Sequence, residues 1–519
     1  MTAKVVALCL DSGEPWVLDH YIEKGRLPNI ARLRKEGAYG LTQNEKWYKA
    51  EPTYTTVMTG VWPSDSGYRG RIVYHPEHLD VQEYGTYDFQ EFPMFWELGK
   101  DFKVCAFDFP QAEIAGPEKV NGIEVVAWGA HTPRRGPGST PEGLIDELKQ
   151  TFGPHPNLHH DNNNIYIDKD ALQLKEELTI GLERRRQIML DLVAREDWDM
   201  LISAFGEVHI ILHQFWHLVF DHPLHEHMAE DGRDDIGDIL EQIDDIIGDV
   251  EKAAGDKATM VLFAAHGMEA NRADICSGAF LAEMLYRWSY NEAALAPSPA
   301  GTPPPPYRFD YPRHLKYEVW DLVTPEGRKR LTSPIDQLQM GLSLNWQPTN
   351  WYKTAWGGMR AFALPSYSDG YIRVSVKGRD EGGLVDPEDY NALLDELETY
   401  IREWRCARTG RPLVEETLRT RKTALDNTPN LPDADIVISW AKGAATDIVE
   451  HDKYGQIGPV PFFRLGDHTT NGFILAKGPG IEGGRELSEG TTIDFAPTIL
   501  SLMGAPVPGY MKGRDLLAS

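Results

Sequence analysis

Asp199-Met200-Leu201-Ile202-Ser203-Ala204-Phe205-Gly206-Glu207-Val208-His209-Ile210-Ile211-Leu212-His213-Gln214-Phe215-Trp216-His217 is the stretch from which the rest of the chain can be read. Its first seven residues form an apolar run of strand length, which reads as a buried strand. His209, His213 and His217 then recur every four residues, a spacing that stacks side chains on one face of a helix. The first two are close enough in that register to chelate one metal ion. A lone histidine is more often a satisfied structural group. Three in register just past the carboxyl end of a buried strand favour a metal or catalytic role.

Working outward, the same strand-then-polar pattern recurs. Residues 5–10 form a first buried strand that ends at Asp11, and residues 259–265 form another that ends at His266-Gly267. Further strands are expected over 103–109, 123–128, 371–377, 435–439 and 472–476. Helices are expected over 16–35 (broken at Leu27-Pro28-Asn29), 93–98, 168–195, 237–254, 386–406 and 492–503. Strands alternating with helices along the whole length predict an α/β fold, a mostly parallel central sheet with helices on both faces. The chain reads as a single large domain over 1–519, with a proline-rich excursion (297–306) and a cap-like insert around 285–360.

Ligand sites in open parallel sheets form at the carboxyl ends of strands, so Asp11, His209, His213 and His266 are expected to converge. His468, in Gly466-Asp467-His468 before the strand at 472–476, is the fourth imidazole of the set. A site rich in imidazole suits a divalent transition metal better than calcium or magnesium: zinc first, with manganese or iron also compatible. Glu207 and Asp467 flank ligands and are candidates to orient imidazoles. Thr53 could offer a hydroxyl, although such threonines more often cap the next helix. His131, on a loop, is a candidate to line the cleft.

The charge balance of 52 basic against 79 acidic residues, net −27, argues against a nucleic-acid or anionic-membrane partner and leaves a small-molecule substrate. Homo-oligomer formation is compatible with everything in the sequence. The apolar run at the start is too short for a signal peptide or a bilayer span. The four cysteines match no zinc or redox spacing, and a cytoplasmic location with reduced thiols is the expectation.

Taken together the motifs resemble the alkaline phosphatase superfamily, in its type I phosphodiesterase/nucleotide pyrophosphatase branch. The resemblance rests on the strand ending at Asp11, Leu27-Pro28-Asn29, and Thr59-Gly60 with Pro63 and Gly67. Phe215-Trp216-His217, His266-Gly267, Lys377-Gly378-Arg379 and Gly478-Pro479-Gly480-Ile481 add to it. So does Asp494-Phe495-Ala496-Pro497-Thr498-Ile499-Leu500, followed by Gly504, Pro508 and Gly513-Arg514. Relatives typically hold two metal ions beside a hydroxyl or modified cysteine nucleophile.

The resemblance puts one ion on His209, His213 and His468, with His209 in place of an aspartate. It leaves Asp11 and His266 of the second ion's ligands, because the preceding aspartate is Ala265. Counting nine residues back from Thr59, with Pro52 as a check, puts the nucleophile position on Ala50. His217 becomes a supporting residue. The expectation is a metal-dependent hydrolase that uses hydroxide on a single three-histidine ion, with Asp11 or His266 as general base or substrate anchor. Its substrate would be a non-phosphate ester, amide or other C–N or C–O bond, and a related lyase or decarboxylase reaction is also compatible. Two alternatives stay open: a phosphodiesterase/nucleotide pyrophosphatase with water as nucleophile, and a non-catalytic small-molecule-binding member of the family.

Overall fold

Val5-Val6-Ala7-Leu8-Cys9-Leu10 is wholly buried because both faces of its sheet are covered, and the architecture follows from that strand. A computed structural model describes residues 4–84, 87–130, 136–156, 171–229, 232–299, 301–306, 315–334, 344, 347–443 and 445–518. The central sheet contains β1 (Val5–Leu10), β2 (Ala38–Gln43), β3 (Gly99–Phe107), β4 (Val120–Val126), β5 (Gly138–Thr140), β6 (Met200–Phe205) and β7 (Thr259–Ala264). A separate two-stranded ribbon pairs β8 (Gly267–Ala270) with β9 (Gly466–Thr469). After it, β10 (Asn471–Lys477), β11 (Arg485–Glu486) and β12 (Gly490–Thr491) return to the central sheet.

The strand order is β11-β2-β10-β7-β1-β6-β3-β4-β5, with β12 also on β2. The five middle strands, β7 to β4 in that order, run parallel. β10 is antiparallel to both of its neighbours, and so is β5 to β4. The sheet is therefore mixed but mostly parallel, as expected from the sequence.

Alternate residues of β1 enter different cores, as the two-residue period of a strand requires. Val6, Leu8 and Leu10 pack with α1 (Pro15–Glu23), α2 (Pro28–Glu36), α4 (Ala171–Arg195), α5 (Gly206–Val219) and α6 (Asp235–Ala254). Val5, Ala7 and Cys9 pack on the opposite face with α3 (Thr53–Thr59) and α7 (Phe495–Met503). All four cysteines are buried free thiols. Among the described residues no helix is long and apolar enough to cross a membrane.

Two expectations fail locally. Residues 93–98 form turns, not a helix: six residues give too few backbone bonds to offset nucleation. Residues 38–43, which are not among the strands expected from the sequence, form β2, which pairs with β10 more than four hundred residues away. The helix expected over 16–35 divides at Leu27 into α1 and α2, with Pro28 starting the second. Within 285–360 there are short helices at Leu315–Trp320 and Gly327–Arg330 and a 3-10 segment at Pro348–Gly358. A four-stranded antiparallel sheet of Ala361–Leu364, Gly370–Val374, Ile436–Trp440 and Val414–Arg419 follows.

Candidate metal centre

The site sits where three adjacent parallel strands end together. β1 delivers Asp11, β6 runs straight into α5 with His209 and His213, and β7 is followed by Ala265 and His266. The ribbon then brings in the fourth imidazole, because Met268 of β8 lies opposite His468 of β9. α5 is buried from Gly206 to Leu218. Its apolar side chains (Val208, Ile210, Ile211, Leu212, Phe215 and Trp216) each contribute about 1.5–3 kcal/mol by burial, which seats the histidines on a rigid element.

His209, His213 and His468 are buried, and a ring nitrogen from each lies within 4.8 Å of the other two. The Nε2 atoms of His209 and His213 are 3.0 Å apart. Two nitrogens on a tetrahedral zinc are ~3.3 Å apart, given Zn–N bonds of about 2.0–2.1 Å, so the pair is spaced for a shared ion. His213 Nδ1 lies 2.6 Å from the Gly466 carbonyl, which only accepts, so Nδ1 carries the hydrogen and Nε2 keeps its lone pair. Gly466 is glycine for a reason: a Cβ there would lie 2.6 Å from the Leu212 carbonyl and 2.8 Å from Met268 Sδ. The donor set therefore fits a divalent transition ion with three neutral ligands. Arg464 Nη1 lies 3.3 Å from His213 Nε2, while its Nε and Nη2 donate to Asp274 at 2.7 and 3.0 Å. An ion taking the His213 lone pair would have to displace that guanidinium edge.

The other half of the site is built on Asp11. Tyr54, at the start of α3, donates its hydroxyl to Asp11 Oδ1, and burial together with the Asp11 charge holds that phenol protonated well above the ordinary tyrosine range. His266 Nε2 is 3.4 Å from Asp11 Oδ1, and its Nδ1 is 3.3 Å from the Lys49 carbonyl. The His266 and His468 rings stack with centroids 4.3 Å apart, which joins the two halves. Among the described residues no second group of three His, Cys, Asp or Glu donors converges.

The remaining sequence candidates fall in several places. Thr53 donates to the Lys49 carbonyl and accepts from Asn44, both at 2.8 Å, so its hydroxyl steadies the loop behind His266. Thr53→Val is expected to cost about 1 kcal/mol of stability and less than about tenfold in turnover. A loss beyond a hundredfold with the fold intact would restore Thr53 as a reacting group. Glu207 pairs with Arg185 at 2.9 Å and His155 at 3.0 Å, not with an imidazole of the centre. Asp467 lies 3.5 Å from Ser368 Oγ, and burial pushes its carboxyl up. His217 faces His222; burial, with Arg233 and His225 nearby, lowers it to about 3, so it is neutral at physiological pH. Ala265 has no ligating side chain, and its carbonyl accepts from the Thr492 hydroxyl at 3.4 Å. His131 lies outside the described residues.

Ala50 lines a cleft that it shares with Tyr48, Arg69, Arg71, Tyr367 and Asp369. The cleft's floor adjoins the buried Lys49–Asp369 pair, 3.3 Å apart, in which burial outweighs Lys49 and raises Asp369 to about 6. Ser12, Tyr54, Lys49 and Arg464 were not singled out from the sequence. Only the adjacency of Ser12 to Asp11 could have drawn notice.

Residues 5–427 match the Type I phosphodiesterase / nucleotide pyrophosphatase family. The mostly parallel α/β sheet together with this match places the chain in the alkaline phosphatase superfamily. The chain belongs to the type I phosphodiesterase/nucleotide pyrophosphatase family within it. Among solved structures, murine ectonucleotide pyrophosphatase / phosphodiesterase 5 is similar at 12% identity and a TM-score of 0.52, with 99% of this chain and 100% of that one covered. The human counterpart gives 12% and 0.47 over the same shares. Phosphonoacetate hydrolase from Sinorhizobium meliloti, solved with phosphonoformate, gives 11% and 0.46, covering 97% of this chain and 96% of that one. At these identities the likeness is one of fold. No curated protein matches the chain in sequence.

Proposed function

We propose that the chain is a hydrolase working with one transition-metal ion, zinc in the first place, on a small-molecule ester, amide or other C–N or C–O bond. The observation that carries this is the unequal equipment of the two halves of the site. His209, His213 and His468 converge as a three-ligand set. The second half retains Asp11 and His266 beside Ala265, and two protein ligands rarely hold zinc tightly. Ala50 lines the cleft with no nucleophilic atom, which closes a covalent route at that position.

A divalent ion held by three imidazoles supplies Lewis-acid polarisation and lowers the pKa of water to about 7. The chain's own groups do the rest. His266, with Nδ1 anchored on the Lys49 carbonyl, presents Nε2 as the base that takes a proton, and Asp11 stabilises the imidazolium so formed. Tyr54 keeps the Asp11 carboxylate oriented. The cleft beside Ala50 receives the substrate, with Arg69 facing an anionic group and Tyr48, Tyr367 and Tyr371 a planar one, while Arg71 is held by Glu83 at 3.0 Å and by Tyr367. A lyase or decarboxylase reaction would use the same polarisation.

A second reading, hydrolysis of a phosphodiester or nucleotide pyrophosphate by water, is favoured by the family match itself. Elemental analysis of the purified full chain, combined with a screen of aryl carboxylic esters, amides and phosphate mono- and diesters, separates them. One tightly bound ion per chain with carboxylic ester or amide turnover is the expected result. Two tight ions per chain overturn the one-metal reading, and dominant diester turnover establishes the second.

A further inference from the structure

Ser12 is wholly buried between the two halves of the site, and its hydroxyl touches both. Its Oγ lies 3.0 Å from His266 Nε2, 3.4 Å from His468 Nδ1 and 3.4 Å from Asp11 Oδ1. Its backbone is held at φ 62°, in the left-handed region that a residue with a Cβ seldom occupies. A strained, non-glycine residue at the end of β1 calls for a compensating interaction.

We infer that Ser12 is the positioning residue that sets the ligating tautomer of His468. The polarity assigned to the chain of hydrogen bonds starts at His266, whose two ring nitrogens both face acceptors: the Lys49 carbonyl at 3.3 Å from Nδ1 and Asp11 Oδ1 at 3.4 Å from Nε2. Asp11 Oδ1 already takes the Tyr54 hydrogen, so neutral His266 is assigned its hydrogen on Nδ1, donated to the Lys49 carbonyl, with the lone pair on Nε2. The Ser12 hydroxyl then donates to His266 Nε2, the shortest of its three contacts. That leaves the Ser12 oxygen to accept from His468 Nδ1–H. That places the His468 lone pair on Nε2, as the Gly466 carbonyl places that of His213. Asp11, at 3.4 Å, is the competing acceptor for the Ser12 hydrogen.

The inference rests on the reading of the three histidines as a metal centre, and its test separates the two. The full chain is labelled with 15N-histidine and stripped of metal, and the His468 signals are assigned with His468→Gln. Two-bond 1H–15N spectra then report which ring nitrogen bears hydrogen. Zinc affinity is measured separately by competition with a chromogenic chelator. In the wild type His468 is expected as the Nδ1–H tautomer. Ser12→Ala and Ser12→Gly both shift it toward Nε2–H and weaken zinc binding about 10- to 100-fold.

Ser12→Gly also relieves the φ 62° backbone, so its melting temperature is expected to rise while its zinc affinity falls. A merely structural serine would change the melting temperature and leave the His468 tautomer and the zinc affinity where they are in the wild type. A wild-type His468 with hydrogen on Nε2, or two variants with zinc affinity within twofold of wild type, overturns the role of Ser12. A wild-type protein that takes up no zinc removes the metal centre itself, and with it any ion for Ser12 to support, whatever the spectra show.

Discussion

His213→Ala is expected to abolish tight zinc binding and to lower turnover by on the order of 10³-fold or more, because the chemistry asked of the ion has no substitute among the remaining side chains. His213 is the best-fixed member of the triad. It is fully buried on α5, its Nδ1 is 2.6 Å from the Gly466 carbonyl, and its own carbonyl accepts from the Leu465 amide at 2.7 Å. Removing the imidazole leaves two ligands, which rarely hold zinc. His217→Ala is the matched control on the same helix. It removes an equally buried ring that faces His222, so it is expected to cost 1–3 kcal/mol or so of stability and to leave zinc stoichiometry at the wild-type value. Zinc content by elemental analysis and turnover on the best substrate of the screen decide the matter. If His213→Ala keeps its zinc, the three-histidine centre is wrong. If it loses zinc and keeps turnover, the ion has no part in the reaction.

The contrast between these two histidines also shows what the sequence could and could not reveal. Spacing of four residues advances 400° around a helix, so His209 and His213 lie only 40° apart, and their rings meet at 4.2 Å. Eight residues drift 80°, enough to carry His217 off the shared face. The same geometry explains why Glu207 and Asp467 serve elsewhere. Glu207 is two residues before His209 on a helix, and Asp467 is next to His468 on a strand. Neither spacing puts side chains on one face, so sequence neighbours of a ligand point away from it. The core strands were legible because burial on both faces makes each an unbroken apolar run, as in β1, β6 and β7. β2 was not, because Ala38-Tyr39-Gly40-Leu41-Thr42-Gln43 is only half buried and its identity as a strand depends on a distant antiparallel partner. Ser12 and Arg464 escaped for a related reason. Each is an isolated polar residue whose partners, His266 and His213, come together only after folding.

Arg185→Met should be the most destabilising single change outside the hydrophobic core, at about 3–5 kcal/mol near neutral pH. Arg185 and its partners are fully buried: the guanidinium donates to Glu207 and to Asp108, both at 2.9 Å. Asp108 in turn accepts from the backbone amides of Trp128 and Gly129, and Glu207 stands in the first turn of α5. One cation thus ties the ends of β3 and β4 to the start of the helix that carries His209 and His213. Methionine fills much of the space but leaves two carboxylates without their cation.

The sign of the pH dependence identifies the cause. Burial alone pushes the Glu207 carboxyl up, and Arg185 with His155 overcomes this and draws it down to about 2. In the wild type that carboxylate therefore contributes stability above the ordinary glutamate range and loses it as pH falls toward 2. In Arg185→Met burial acts against His155 alone, so the folded-state pKa is expected above the unfolded one and stability is expected to rise as pH falls from 7 toward 5. The gap between the two proteins, measured by chemical denaturation, should narrow with acid. Arg185→Met/Glu207→Gln should recover at least ~1 kcal/mol at pH 7 relative to the single variant, since it removes one of the stranded charges. A gap that is flat or widens between pH 7 and 5 would assign the loss to packing against Trp128 and Phe107, which the guanidinium also covers. A gap that closes would show that charge at the base of α5 holds the ligand-bearing helix in place.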